Sequence, residues 1–425
     1  MPAVTVVATG IGTLVEGYEL LLYAYLAAIL AEQFFPPGDP TAALLATFAI
    51  FAVGFVARPV GGLVFGHVGD RHGRRTALVA SLLLMAVGTM AIGLLPTYDK
   101  VGVLAPALLL VCRLVQGLSV GGEYVGANIM IIEHAGANRS GRAVSANQVA
   151  SYLGAATAAT ISLLLAGALT RAQLTEWGWR LPFLAAGPLG LIGLYLRIRV
   201  PESLTRRVAG VAPRRFPVIA AVRSARRGMV VFAGWLTMVT LGGYLVFGYL
   251  PTYLVNVVGL TAAGAYGANL AALASLGLGA VAGGFLVDRC STRRIAIASA
   301  IGVAVTVGPS FLLMQHGSVA AAVFGQLVWA WFIGVAATVS ALLSASEFPE
   351  QIRFTATALA YNVTVTLLGG TAPYLSTWLV ARTGNPVAPS AYLVVMALIA
   401  LATAVLGLRP RPAAGTGFLL RAGPR

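Results

Sequence analysis

The sequence predicts an all-α membrane protein: twelve transmembrane helices in two pseudo-symmetric six-helix bundles. Three observations predict it. The chain is 58% hydrophobic and 10% charged, with mean hydropathy +0.87, whereas soluble domains run near 25% charged. Apolar runs of 20 or more residues recur along its whole length, each able to cross ~30 Å of hydrocarbon as a helix. Finally, a polar motif closing the second run recurs half a chain later, closing the eighth.

In chain order the spans fall at 11–35, 41–66, 76–95, 102–132, 143–170, 178–198, 227–257, 261–287, 294–315, 319–346, 354–381 and 388–408. An even number places both termini on one side of the membrane. Loops on that side and the C-terminal tail carry 22 basic residues, against 4 on the other, so both termini are expected in the cytoplasm. The net charge of +15 is thereby read as topology, and nucleic acid is excluded as a partner. The longest loop, rich in Pro and Arg, divides the chain. Residues 1–198 form an N-terminal bundle, 199–226 a linker on the anionic cytoplasmic leaflet, 227–408 a C-terminal bundle and 409–425 a cytoplasmic tail.

The repeat supports this division. Gly66 and Asp70, with Arg71, Arg74 and Arg75, close the second span; Gly284 and Asp288, with Arg289, Arg293 and Arg294, close the eighth, 218 residues later. Glu133 and Arg139 after the fourth span are echoed by Glu347 and Arg353 after the tenth. Two similar halves around a central pathway are a common plan for transporters.

At these motifs the chain resembles the major facilitator superfamily, whose signature loop joins spans 2 and 3. Further segments narrow the resemblance to the metabolite:proton symporter family. They are Glu16-Gly17-Tyr18-Glu19, the stretch around Arg58, Arg113 to Glu123, Trp177 to Phe183, Tyr249 to Leu254, and Glu347 through Tyr361-Asn362 to Pro373. The match covers almost the whole chain. The family usually has Trp and Asp where this sequence has Gly17 and Glu19, and the second signature loop lacks its Gly. These departures bear on substrate identity and leave the fold expectation intact. The resemblance implies a multi-pass bacterial inner-membrane carrier, a proton-coupled symporter working by alternating access, and neither an enzyme nor a cofactor-dependent protein.

Five charged residues are expected buried at membrane depth, away from the span ends: Glu16, Glu19, Arg58, Arg113 and Glu123. A charge at bilayer depth costs roughly 2.5–3.5 kcal/mol, so it is normally kept for function. All five lie in the first third. Glu16 and Glu19 share a helical face; two neighbouring carboxylates in a low-dielectric site cannot both hold a charge cheaply, so one is the expected proton carrier. Arg113 has a planar five-donor fork. It fits either a switch between a carboxylate of span 1 and a substrate carboxylate, or a permanent ion pair. Glu123, among Gly117, Gly121, Gly122 and Gly126, suits a proton site or a structural hydrogen bond equally well. Arg58, before Pro59, is expected in gating or packing. Asp70 is expected to cap another helix. Arg71, Arg74 and Arg75 would pair with acids such as Glu133, and Asp288, Arg289, Glu347 and Arg353 would form the second-half counterpart.

No phosphate loop, metal-ligand spacing or nucleophile triad is present in the sequence, so no metal or cofactor is expected. Tyr18, Tyr23, Arg113, Gln116, Gln148, Tyr244, Trp331, Tyr361 and Asn362 are the candidate substrate-binding residues, a polar and aromatic set suited to a small metabolite. Two intramembrane arginines favour an organic acid; the alternatives are a zwitterionic osmolyte such as proline or betaine and, further off, drug:proton antiport. Small-molecule substrate, protons and lipid are the expected partners of a monomer.

Overall fold

Within hydrocarbon every backbone N–H and C=O must be bonded inside its own segment, so the apolar runs fold as helices. The computed structural model describes residues 3–72, 74–120, 128, 129, 131, 132, 135, 139–199, 224–349 and 352–408. Each expected span holds helix. The first half comprises α1 (Ala3–Tyr25) and α2 (Ala27–Phe34), α3 (Pro40–Val56) and α4 (Arg58–His72), α5 (Arg74–Leu94), α6 (Leu104–Ser119), α7 (Ser140–Ala168) and α8 (Arg180–Arg199). The second comprises α9 (Arg226–Tyr244) and α10 (Leu250–Asn256), α11 (Ala262–Arg289), α12 (Thr292–Met314), α13 (Val319–Ser346), α14 (Arg353–Thr364) and α15 (Ala372–Thr383), and α16 (Ala388–Leu406). Among the described residues, seven helices are long and apolar enough to cross a membrane, or eight if the bent α1–α2 pair counts as one. Shorter apolar stretches lie in α5, α6 and α8.

Most expected boundaries hold within three residues, but α1 starts at Ala3 instead of 11, α4 runs to His72 instead of 66, and several spans are broken where continuous helices were expected. α1 and α2 meet at 58°, because Leu26 leaves helical geometry. α9 and α10 flank a π turn at Leu245–Tyr249, just before Pro251. α14 and α15 flank another at Val365–Gly370, just before Pro373. Proline supplies no N–H to the turn behind it, which loosens the ladder there.

Glycine allows close helix approach at two places. A side chain on Gly117 of α6 would overlap the Gly54 carbonyl of α3, and one on Gly154 of α7 would overlap the Leu14 carbonyl of α1. These contacts bring α1, α3, α6 and α7 together around the intramembrane charges.

The halves meet at both ends of the bundle. At the end where α1 starts and α11 finishes, Asp288 accepts from the backbone N–H of Gly141 at 2.8 Å and of Arg142 at 3.3 Å. It also forms a 3.0 Å ion pair with Arg142. The carboxylate thus sits at the N-terminus of α7, where the helix dipole favours an anion. At the opposite end, Tyr25 donates to Asn269 Oδ1 at 2.8 Å and Tyr266 donates to the Tyr25 carbonyl at 2.9 Å. Asn269 Nδ2 in turn donates to the Val246 carbonyl at 2.8 Å. One face of α11 therefore holds both the kink of the first span and the π turn of the seventh. A further bridge runs from Thr366 to the Phe55 carbonyl at 3.0 Å; Pro59, four residues on from Phe55, has no N–H to offer that oxygen.

Candidate functional site

A central cavity lies between the halves, lined by α1, α4, α7, α9 with its π turn, α13 and α14. Its charged lining residues, among those described, are Glu16 and Arg58. Both come from the first half, while the second half supplies a neutral wall including Tyr244, Phe247, Ser340, Tyr361 and Asn362.

Glu16 and Glu19 were expected to share a face, yet packing separates their roles. Three residues on a helix leave about 60° between side chains. Glu16 is half-buried and borders the cavity, whereas Glu19 is fully buried behind it, toward α5. There Glu19 Oε2 lies 3.5 Å from the Thr89 hydroxyl, and Oε1 meets no donor. Thr89 accepts from Gln116 Nε2 at 2.6 Å, and Gln116 Oε1 accepts from Arg113 Nη1 at 2.7 Å. The Thr89 hydroxyl also donates to the Met85 carbonyl at 2.9 Å, so a polar chain runs Arg113–Gln116–Thr89 and ends beside Glu19. It brings Glu19 and Arg113 into one network without a direct ion pair.

Arg113 is buried and does not border the cavity. Its guanidinium carbon lies 4.5 Å from the Tyr23 ring centre and 4.8 Å from that of Phe51, close to the space left by Gly54. Ring faces attract the cation and Gln116 takes one of its donors. Arg58 stands differently. The break before α4 places it on the cavity, 4.1 Å over the Phe55 ring, on the wall that Tyr244 also lines. Expected in gating or packing, it is the cation that borders the cavity.

Of the remaining substrate candidates, Gln148, Tyr244, Tyr361 and Asn362 line the cavity, and Gln148 Nε2 also reaches the Ala337 carbonyl of the other half at 3.3 Å. Gln116 lies behind the wall in the polar chain. Tyr18 and Tyr23 are buried with their hydroxyls donated to the Pro182 and Thr47 carbonyls. Trp331 lies on a separate apolar groove of α11 and α13, away from the cavity. A side chain's direction is set by helix rotation, which spans of nearly uniform hydropathy do not encode.

Of the gating candidates, Asp288 makes the helix cap that was expected first of Asp70. Its partner Arg142 was not singled out. Arg71, Arg139 and Arg289 are exposed near the same end. Glu347 and Arg353 border the turn between α13 and α14. Glu123, Glu133 and the side chains of Asp70, Arg74 and Arg75 lie outside the described residues. Thr89, Tyr152 and Phe247 were also missed. A lone hydroxyl or ring in an apolar run carries no signal until packing shows what it faces.

Known proteins share this architecture. The family model described as "Sugar (and other) transporter" matches residues 4–206. A proline/betaine transporter of Escherichia coli (strain K12) is 32% identical over 415 residues, 94% of this chain and 82% of that protein. A Staphylococcus aureus (strain COL) protein that also carries a proline/betaine transporter name is 34% identical over 400 residues, 93% of this chain and 86% of that one. Among solved structures, a D-xylose–proton symporter superposes with TM-score 0.75 at 20% identity, covering 97% of this chain and 98% of the other. By fold and by these full-length relatives, the chain belongs to the major facilitator superfamily, within its metabolite:proton symporter family, and is a multi-pass membrane transporter.

Proposed function

We propose that the protein is a proton-coupled symporter that imports a zwitterionic osmolyte of the proline or betaine kind across the bacterial inner membrane, with both termini cytoplasmic. The carrying observation is the charge of the cavity: among the described lining residues it holds one cation, Arg58, and one carboxylate, Glu16. That pair complements a solute bearing both signs. The organic-acid reading counted two arginines, but Arg113 is engaged by Gln116 and by two ring faces and does not border the cavity. Proline/betaine transporters among the relatives support the zwitterion over the organic acid.

Glu19, Arg113 and their bridge through Gln116 and Thr89 make the proton-coupling centre, with Glu16 next to the solute and Glu123 as the further candidate carboxylate. The Asp288 cap on α7 and the Tyr25–Tyr266–Asn269 contacts are gates at the two ends of the bundle. Exchange between the two closures moves the cavity from one side of the membrane to the other.

Uptake of labelled glycine betaine and proline into proteoliposomes tests the reading. An inward proton gradient should drive accumulation and a protonophore should abolish it. Glu19→Gln should abolish accumulation while leaving downhill exchange. Accumulation that survives neutralisation of both Glu16 and Glu19 rules out these proton sites. Citrate or succinate accumulating in place of the zwitterions returns the organic-acid reading.

A further inference from the structure

We propose that the ring faces around Phe247, with Tyr152 and Tyr244, form an ammonium subsite that selects N-methylated zwitterions over their unmethylated parents, while Arg58 holds the carboxylate. The proposal rests on the zwitterion reading above and specifies how that site chooses among zwitterions.

A row of rings crosses the cavity. Phe55 and Tyr244 lie 5.3 Å apart, centre to centre and edge to face; Tyr244 and Phe247 lie 6.0 Å apart; Phe247 and Tyr152 lie 5.8 Å apart. Arg58 occupies the first ring of the row, Phe55, and lines the cavity with Tyr244. Tyr152, Tyr244 and Phe247 all border the cavity and are half-buried. Phe247 belongs to the π turn, where the extra residue per turn shifts the helical register. Gly243 lies against its ring edge, and a Cβ there would stand 3.3 Å from that ring. The protein's own cation–ring contacts among the described residues involve Phe55, Tyr23, Phe51, Phe285 and Trp179. Among the described residues, no protein cation stands over the Phe247 ring.

A primary ammonium has three N–H donors and loses free energy where they go unmet. A quaternary ammonium has none. Its charge is spread over methyl groups that both desolvate readily and are drawn to ring faces. Glu16 lines the same cavity and interacts electrostatically with Tyr244, so it adds attraction without requiring a directional bond. A solute with its carboxylate on Arg58 and its ammonium toward Phe247 places both charges against complementary groups.

The test is calorimetric binding to the purified full chain of glycine, sarcosine, dimethylglycine, glycine betaine and choline. Affinity should rise with each methyl group. Phe247→Leu should weaken glycine betaine by about threefold to thirtyfold and leave glycine nearly unchanged, flattening the series. Phe247→Tyr keeps the ring and should keep the ranking. Arg58→Gln should narrow the gap between glycine betaine and choline, which lacks the carboxylate. A flat series in the unmodified protein, or equal weakening of every ligand by Phe247→Leu, overturns the subsite. Binding of succinate in place of any zwitterion overturns instead the zwitterion reading on which it rests; the measurement needs no proton gradient, so coupling does not enter.

Discussion

Arg58 and Arg113 have the same chemistry and opposite settings. Arg113 lies between ring faces with one donor on Gln116; Arg58 borders the cavity against Phe55 and Tyr244. Replacing a charged hydrogen-bonding group removes about 1.5–3 kcal/mol of interaction. Arg58→Gln is therefore expected to raise the KM for uptake by at least about tenfold, whereas Trp331→Leu, on the outer groove, should leave uptake unchanged. Gln116→Leu strands the Arg113 Nη1 donor that Gln116 Oε1 now satisfies and removes the Gln116 contact to Thr89. It should lower thermal stability, by about 1–3 kcal/mol, and reduce accumulation more than exchange. Uptake measured with and without a proton gradient checks the second part. Glu16, Glu19, Arg58 and Arg113 were legible in the sequence because charge in an apolar run is rare and costly. Their partners were not: Thr89 is one hydroxyl in a hydrophobic stretch, and only the packing of α1 on α5 shows that it stands beside Glu19.

At the scale of elements, each closure is a small set of hydrogen bonds between helices of different halves. Asp288 caps α7 from α11, and loss of such a cap costs about 0.5–2 kcal/mol. Asp288→Ala is expected to favour opening at that end of the bundle. Asn269→Leu removes the bridge from Tyr25 to Val246 and is expected to favour opening at the other. Distances between spin labels on the two halves should shift in opposite senses in these two variants; identical shifts would show that the contacts do not gate opposite ends. The boundaries of α13 and of the seventh span, from the start of α9 to the end of α10, were readable to within a residue because apolar length and flanking polar turns set them. The kink at Leu26 was not, because no Pro or Gly marks it. The Tyr266 hydroxyl on the Tyr25 carbonyl accompanies the break, and Tyr266 is 241 residues away along the chain.

For the whole molecule, the arrangement of helices assigns the two cysteines to different environments. Cys112 is buried in α6 and Cys290 is exposed just beyond α11. Under the proposed orientation, with both termini cytoplasmic, a membrane-impermeant maleimide should label Cys290 in inverted vesicles and spare it in intact cells. Labelling in intact cells would reverse the orientation. Gly117→Val tests the tight assembly of the first half: its side chain would overlap the Gly54 carbonyl, and the overpacking should destabilise the protein by about 1–3 kcal/mol, read as a lower melting temperature in detergent.

The sequence by itself determined that the chain is built of apolar helices and where most of those helices begin and end. Length, apolarity and the cost of unbonded backbone leave hydrocarbon-spanning chain few alternatives to helix. Only the tertiary structure decided which residues meet. Helix rotation turned Glu16 onto the cavity and set Glu19 and Arg113 behind it, and the break at Ala57 placed Arg58 there. Those orientations depend on contacts between residues a hundred or more positions apart, such as Tyr266 with Tyr25 and Asp288 with Gly141, and local sequence pattern carries no record of such pairings.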